Sequence, residues 1–540
     1  MAGRTRESDY VVVGAGSAGC VLAARLSEDE GCDVTLLEAG GSDRSPLIRI
    51  PFGLMWVMQS PRFDWRFVTT PQPRLADRAL AFPRGKVLGG SSSINGMTAI
   101  RGQEQDFDLW AQMGARGWDH DSVLPYFKKL ETFARGDASF HGKDGPIHLS
   151  DVSYRPPIAD AWIAACAELG IPANDDFNGA AQDGAGYYQN NMRRGLRSSA
   201  ATGYLEPNYG RKNLDVVKRA HATRILFASG RATGVEAVVD GAAQIFRARK
   251  EVILAAGAVQ SPQLLMLSGV GPEGELRRHA IAPVHRLEGV GRNFHDHFDV
   301  PVIYRVRRGT ALASQYTPLR AVLHALRYAA TRKGPLATVT SPVGVFARSR
   351  PELATPDLQY HVALWGFIGH GAIKLPGDAV TAAVCPVRPT SRGTVTLSGT
   401  DPMAAPVIDP NYLATPEDRR TIIDAIRLTR RMGEARAFAP FCEAELYPGT
   451  GVQTDDEILD YVARYADTVY HPVGSCRMGD ANDPASVVDP ELRVVGLDGL
   501  RVIDASVMPC VVSGNTNLPV MMIAERGADL IKAARGRTTR

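Results

Sequence analysis

The sequence predicts an α/β fold with α+β character overall, in which one domain carries a parallel sheet and a second carries an antiparallel sheet. The chain has 540 residues, more than one ordinary hydrophobic core supports. Two apolar runs, residues 10–13 and 34–37, flank a small-residue helical pattern over residues 20–26, as in a β-α-β unit. Strands and turns alternate over residues 394–411 with no helix between them, which indicates antiparallel pairing.

Composition and charge limit the classes of protein that remain. The formal net charge is +3 and no basic cluster is interleaved with aromatic residues, so we expect no nucleic-acid partner. Seven cysteines are spaced singly without a CxxC motif, which favours free thiols in a reducing compartment. The first ten residues contain no apolar run and no stretch is long enough to span a bilayer. We therefore expect a cytoplasmic protein without a secretory signal.

The first β-α-β unit carries a dinucleotide-binding fingerprint. Gly14 permits the tight turn after the strand, Gly16 lets the backbone approach a pyrophosphate, and Gly19 lets the helix pack closely on the sheet. Free amides at the helix N-terminus then hold the diphosphate charge. Glu38 ends the second strand, where its carboxylate can accept both ribose hydroxyls. An acid here argues against a 2′-phosphate on the ribose.

Two further segments are expected to meet the same ligand. Residues 83–96 contain glycine and serine in unusual density, and their amides can donate hydrogen bonds to anionic oxygens. A buried strand over residues 251–257 ends in Ala256 and Gly257, just before a helix that begins at Ser261 and ends at Ser268–Gly269. At this junction the backbone can contact the ligand.

The remaining segments are predicted with less detail. We expect a helix over residues 106–127, a loop over 184–205, strands at 216–217 and 223–227, and helices over 416–432 and 520–532. Asn517 is a suitable N-cap for the last helix.

Two features allow more than one interpretation. His295-Asp296-His297 could place both imidazoles on one metal ion, but no third ligand is near in sequence, so satisfied polar side chains are favoured and no metal is expected. Residues 301–350 contain no Asp or Glu. Within them Leu319, Val322, Leu323 and Leu326 follow the spacing of an amphipathic helix. A surface helix packed on its own domain is favoured over one that docks on a membrane or an electron acceptor.

Several stretches together resemble the glucose-methanol-choline (GMC) oxidoreductases, in the branch of choline and aliphatic-alcohol dehydrogenases. Residues 85–95 (GKVLGGSSSIN) match one family signature, and residues 257–262 through 268–271 match the other. His471-Pro472-Val473-Gly474 and the region of Asn515 match the active-site pair of the family.

The resemblance implies a Rossmann-like FAD-binding domain and a substrate domain with an antiparallel sheet, each assembled from separated segments. The FAD-binding domain would comprise residues 1–155, 213–300 and 461–540, and the substrate domain residues 156–212 and 301–460. His471 would be the catalytic histidine with Asn515 beside it. The residues implied in FAD binding are Gly14, Gly16, Ser17, Ala18, Gly19, Glu38, Ala39, Val87, Gly90, Ser91, Asn95, Gly96, Met97, Val217, Ala256, Gly257, Asp504, Ala505, Asn515 and Asn517.

The implied reaction is oxidation of an alcohol to an aldehyde, with His471 removing the hydroxyl proton as a hydride leaves for flavin N5. Some relatives bind FAD covalently through a histidine at the position of Ile94, so FAD is expected to be non-covalent here. A neutral primary alcohol is favoured over choline, because residues 339–346, where choline-using relatives carry an acid, contain none. A lyase with structural FAD and a flavin-binding protein without turnover remain alternatives. The electron acceptor stays open between oxygen, a quinone and another carrier.

Overall fold

The computed structural model describes residues 5–58 and 60–538. The described residues form twelve α-helices: α1 (Ser17–Leu26), α2 (Pro46–Arg49), α3 (Leu54–Val57), α4 (Glu104–Gln112), α5 (His120–Leu130), α6 (Pro157–Glu168), α7 (Gly257–Leu267), α8 (Glu273–Arg278), α9 (Pro318–Thr331), α10 (Pro416–Glu434), α11 (Asp455–Tyr465) and α12 (Asn517–Thr538).

Strands are short except in two large sheets. In chain order they are β1 (Thr5–Val13), β2 (Val34–Glu38), β3 (Phe67–Val68), β4 (Ala81–Phe82), β5 (Glu131–Thr132), β6 (Ile147–Ser150), β7 (Gly184–Tyr187), β8 (Asn190–Arg193), β9 (Leu196–Arg197), β10 (Leu214–Lys218), β11 (Ala220–Ala228), β12 (Arg231–Val239), β13 (Ala242–Leu254), β14 (Val270–Gly271), β15 (His285–Arg286), β16 (Phe298–Val306), β17 (Val343–Ala347), β18 (Leu358–Ala363), β19 (Phe367–Ile368), β20 (Ile373–Lys374), β21 (Ala379–Pro386), β22 (Thr394–Thr396), β23 (Val407–Asp409), β24 (Cys442–Tyr447), β25 (Asp467–Thr468) and β26 (Leu500–Val502).

The first large sheet has the strand order β10-β2-β1-β13-β12-β11, with β26 also paired to β13. The pairs β10–β2, β2–β1, β1–β13 and β13–β26 are parallel, whereas β11 and β12 form an antiparallel extension. Residues 10–13 of β1 and 34–37 of β2 are buried and mostly apolar, as expected where both faces of a parallel sheet are covered. Helices α1 and α12 cross this region and are joined by an ion pair of 2.8 Å between Arg25 and the fully buried Glu525. Because β10, β2, β1, β13 and β26 are parallel, their carboxyl ends meet at one edge of the sheet.

The second large sheet has the order β24-β16-β21-β18-β17-β7, with β25 also paired to β16, and every pair is antiparallel. Helix α10 packs on it through an apolar stripe that includes Ile422 and Ile426, both fully buried. The predicted combination of a Rossmann-like parallel sheet and an antiparallel sheet is confirmed. The bounds of the five segments that make up the two domains stay a prediction.

Two local predictions are wrong. The helix predicted over residues 106–127 is two helices, α4 and α5, because Gly114 and Gly117 have positive φ values of 98° and 78° between them. The predicted loop over residues 184–205 contains strands β7, β8 and β9 and a π-helical turn, Ala201–Leu205. The backbone polar groups of that segment are paired in sheets although the residue pattern does not alternate.

Helix α9 forms where the amphipathic pattern predicts it, but its apolar side does not pack on the protein. Leu319, Val322, Leu323 and Leu326 are 73%, 57%, 56% and 63% exposed, whereas Tyr328 on the opposite side is buried. The helix lies on the surface as expected, but it is held to its own domain through Tyr328 and not through its leucines. Within the described residues, no helix combines the length and the apolar character needed to cross a bilayer.

Candidate functional site

A cavity of about 340 Å³ opens at the carboxyl edge of the first sheet and extends to His471. This is where ligands bind in open α/β sheets. Most of the predicted site residues line it: Gly14, Gly16, Ser17, Ala18, Glu38, Ala39, Gly90, Ser91, Asn95, Gly96, Met97, Ala256, Gly257, His471, Asp504, Ala505, Asn515 and Asn517.

Three predicted residues lie outside the cavity wall. Gly19 packs α1 on the strand turn, and Val87 is buried beside Gly41. Val217 pairs with Leu37 inside the sheet, while Ala220 and the residues after it line the cavity instead.

Two glycine-rich turns meet at the start of α1. A Cβ on Gly90 would lie 2.7 Å from the Cα of Gly16, and a Cβ on Gly19 would lie 1.8 Å from the carbonyl oxygen of Gly14. By contrast, a Cβ on Gly96 or Gly257 would meet no protein atom within 4 Å. Some of these glycines therefore allow close backbone packing, whereas others leave bare backbone facing the cavity.

The polar groups at this end of the cavity suit a dinucleotide. Helix α1 has no side-chain cap on its first amides, which leaves them available to a diphosphate. The Glu38 carboxylate accepts hydrogen bonds from the amides of Ala15 and Gly40 at 3.0 and 2.7 Å. Burial raises the pKa of Glu38 to about 7, although these two amide bonds oppose the shift. Asn517 Nδ2 is buried without a hydrogen-bond partner among the described residues, so a donor is left for a ligand.

His471 lies at the other end of the cavity and is held from three directions. Its backbone amide donates to Asp296 Oδ1 at 2.6 Å. Its Nδ1 lies 3.1 Å from His297 Nδ1, and its Nε2 lies 3.1 Å from Asn515 Nδ2.

The hydrogen-bond network determines which nitrogen of His471 carries the proton. His297 Nε2 must donate to the carbonyl of Val387, at 3.0 Å, because a carbonyl can only accept. The Nδ1 of neutral His297 is then an acceptor, so His471 donates to it from Nδ1. Asn515 Oδ1 accepts from Gln359 at 3.0 Å, which turns its Nδ2 donor toward His471. The lone pair of His471 Nε2 therefore faces Asn515.

Burial keeps both imidazoles neutral. Burial lowers the pKa of His471 well below its usual value, and the neighbouring His297 adds to the shift. Burial also lowers the pKa of His297 to about 4. Asp296 is buried as well, and burial raises its pKa to about 6 although it accepts hydrogen bonds from Thr468, Tyr412 and the His471 amide.

The His295-Asp296-His297 sequence serves this network. His295 Nδ1 donates to the Asn293 carbonyl at 2.6 Å, and its Nε2 accepts from the Val511 amide at 2.9 Å. His297 is bonded to His471 and Val387. The two imidazoles thus point to different partners, which agrees with satisfied polar side chains. Among the described residues no group of three potential ligand side chains is arranged for a metal.

Sequence reasoning missed several polar residues near His471. Gln359 on β18 orients Asn515, and His361 on the same strand lines the cavity. Asp299 and His370 also line it, 3.3 Å apart. The sequence did single out His297, as a polar side chain with satisfied hydrogen bonds, but it did not indicate that its partner is His471, 174 residues away.

A dinucleotide cradle that continues into a neutral imidazole and an amide is typical of nucleotide-dependent oxidoreductases. The GMC oxidoreductase family matches residues 8–299 and 389–524, and the chain belongs to this family. The chain is 44% identical over 527 residues to an alcohol dehydrogenase [acceptor] of Pseudomonas putida, covering 97% of this chain and 95% of the relative. It is 43% identical to the mitochondrial choline dehydrogenase of Homo sapiens, covering 97% and 90%.

Solved structures agree with the family assignment. Pyridoxine 4-oxidase from Mesorbium loti matches with a TM-score of 0.89 and 32% identity, covering 97% of this chain and 99% of that one. The protein is an FAD-dependent oxidoreductase that acts on CH–OH donors. Ile94 lines the cavity and has no nucleophile, in keeping with non-covalent FAD.

Proposed function

We propose that the protein oxidises a neutral primary alcohol, with His471 as general base and Asn515 as the second group that holds the alcohol oxygen. The observation that carries this proposal is the 3.1 Å contact between His471 Nε2 and Asn515 Nδ2 in the cavity, where the hydrogen-bond network leaves Nε2 as an acceptor. The hydroxyl proton passes to Nε2, while the Asn515 N–H donates to the oxygen as negative charge builds on it.

The predicted FAD contacts are part of the proposal. The uncapped amides of α1, the bare backbone at Gly96 and Gly257 and the unpartnered Asn517 Nδ2 support them. When bound, FAD supplies the acceptor for the hydride. Asp504 fixes the backbone at Gly257, because its buried carboxylate accepts hydrogen bonds from the Gly257 amide at 2.8 Å and from the Ser261 hydroxyl.

A second, aromatic cavity supports an apolar substrate. Its volume is about 70 Å³, and it shares Thr340 and Phe367 with the large cavity. Its wall includes Phe52, Tyr316 and Trp365, with Lys374 also present and no Asp or Glu among the described lining residues. An alkyl or aryl tail gains from burial in such a space, whereas a cation would meet a like charge.

Besides Glu38 and Asp504 at the nucleotide end, the large cavity is lined by a third carboxylate, Asp299. The absence of acids from residues 339–346 gave no indication of it. This carboxylate is paired with His370. Burial alone would lower the pKa of His370, but Asp299 and Asp467 outweigh it and raise the pKa to about 9. At neutral pH the His370 imidazolium therefore stays paired with the Asp299 carboxylate, and this disfavours the binding of a quaternary ammonium to Asp299.

The substrate proposal is tested by mixing the FAD-loaded protein anaerobically with 1-octanol, benzyl alcohol or choline. We expect the neutral alcohols to bleach the flavin at a several-fold higher kcat/KM than choline. Faster bleaching by choline would contradict the proposed substrate class. Product formed from a cyanohydrin without bleaching would indicate the lyase, and neither bleaching nor product would indicate a binding protein.

The acid limb of the pH profile is expected near pH 6 and is assigned to Asp296. Its raised pKa means that the carboxylate is ionised above about 6 and loses a hydrogen bond as the pH falls through that value. In Asp296→Asn the limb should move to lower pH, because the pKa values of His471 and His297 are both lowered. A profile of kcat/KM from about pH 5 to 9 checks this. A limb that stays near 6.5 in the variant would mean that His471 titrates as an ordinary histidine.

His297 is a positioning residue, because it selects the His471 tautomer without reaching the cavity. We expect His297→Leu to lower kcat by about 10²-fold, since His471 then lacks the acceptor that keeps its proton on Nδ1. His297→Gln is the matched control, because its side-chain carbonyl can accept the same bond and should restore part of the activity. Equal loss in both variants at unchanged FAD content would show that the acceptor is not what matters.

A further inference from the structure

Helix α9 presents an apolar strip to solvent. At about 100° per residue, Leu319, Val322, Leu323 and Leu326 share one side and Tyr328 lies opposite. Tyr328 holds the helix to the protein by donating from its hydroxyl to the Gly195 carbonyl at 2.8 Å. Because Tyr328 is the buried residue of α9, the helix stands out as a ridge with its leucines outermost. An exposed apolar strip of this kind marks an interaction surface.

The strip has a basic border. Arg320 and Arg327 lie about a quarter turn from the leucines, and Arg332 and Lys333 follow the helix. Arg193, at the end of β8, and Arg194, in the turn that follows, are exposed next to Gly195, which lies against Arg332. None of these six cations forms an ion pair with a carboxylate among the described salt bridges, and residues 301–350 contain no acid.

Aromatic side chains continue the apolar surface at the start of α9. Tyr316 stacks on Phe52 with ring centroids 4.8 Å apart, and Phe52 contacts Trp56 at 5.5 Å. Trp56 is 51% exposed. Tryptophan beside a basic amphipathic helix is typical of the interface between lipid headgroups and acyl chains.

We infer that α9 docks in the plane of an anionic lipid bilayer, with its leucines among the acyl chains and its arginines at the lipid phosphates. A ridge of one helix suits a deformable surface, whereas a protein partner would have to offer a matching groove. A second copy of this chain is disfavoured, because paired α9 helices would bring two basic borders together without acids between them. The aromatic cavity beside Tyr316 would then open near the membrane.

The test uses the full, FAD-loaded chain in flotation with two kinds of vesicle. We expect binding to phosphatidylcholine vesicles that contain phosphatidylglycerol, weaker binding at high salt, and little binding to phosphatidylcholine alone. The variant Leu319→Ser/Leu323→Ser/Leu326→Ser should bind at least tenfold more weakly, because burial of even one leucine is worth more than a tenfold change. Arg320→Glu/Arg327→Glu should lose the preference for anionic lipid.

Met403→Ser is the matched control, since Met403 is 57% exposed but lies outside α9, and it should bind like the parent. All variants should keep their FAD content, unfolding temperature and kcat with a water-soluble alcohol. Vesicle binding that survives the triple serine variant would overturn the inference. So would light scattering that shows a dimer of the parent, dissociated by the triple variant, without vesicle binding.

Discussion

Replacing His471 with alanine is expected to lower kcat by about 10²–10⁴-fold, the usual contribution of a general base. The loss follows because the substitution removes Nε2 of His471, the atom that would take up the hydroxyl proton. Flavin content should be unchanged, since the side chain ends the cavity and does not build the cradle. Anaerobic stopped-flow measurement of flavin reduction by a neutral alcohol gives the rate of this step directly.

A matched control is His148→Ala, which removes a half-buried histidine outside the cavity and should retain the parental rate. If His471→Ala reduced its flavin at the parental rate, His471 could not be the base. A variant that lost FAD together with activity would instead place His471 in the cofactor cradle.

Gly19→Ala is expected to destabilise the protein and to deplete it of FAD. Alanine is favoured over glycine in a helix by about 1 kcal/mol, so the substitution would stabilise α1 if there were room. The new Cβ would lie 1.8 Å from the Gly14 carbonyl, which belongs to the backbone and cannot rotate away. Such overpacking costs about 1–3 kcal/mol and outweighs the propensity gain. The flavin-to-protein absorbance ratio and the unfolding temperature measure both effects.

Gly41→Ala provides the comparison, because a Cβ at Gly41 meets no atom within 4 Å and its φ is not positive. This variant should keep its FAD and its unfolding temperature. A Gly19→Ala protein as stable and as yellow as Gly41→Ala would show that α1 can move away from the strand turn, against the proposed packing role.

The glycine-rich turns at one end of the cavity were predictable because their requirements are local. Close approach of two backbones demands glycine, and Gly14, Gly19 and Gly90 stand within short motifs whose spacing fixes their geometry. Glu38 is likewise placed by the end of one strand. The sequence alone would not have identified His471 and Asn515 as an active-site pair. The family resemblance predicted that they lie together, and in the structure His471 Nε2 and Asn515 Nδ2 are 3.1 Å apart.

The partners of the base were not predictable, since they are brought together only by the tertiary fold. His297 and His471 are 174 residues apart, and Gln359 reaches Asn515 across 156 residues. Periodicity also identified the apolar side of α9 correctly but carried no information about what covers it. The single helix predicted over residues 106–127 failed for a different reason. The apolar periodicity continues across the break between α4 and α5, where Gly114 and Gly117 adopt positive φ values.

The central claim is that Nε2 of His471 is the unprotonated atom that faces the alcohol. A crystal structure of the FAD-loaded protein with trifluoroethanol, a poorly reactive alcohol, tests it most directly. We predict that Nε2 lies about 2.6–3.2 Å from the alcohol oxygen, with Asn515 Nδ2 on the same oxygen and Nδ1 still bonded to His297. An imidazole turned away from the alcohol, or a His471 that donates from Nε2 to another group, would contradict the account.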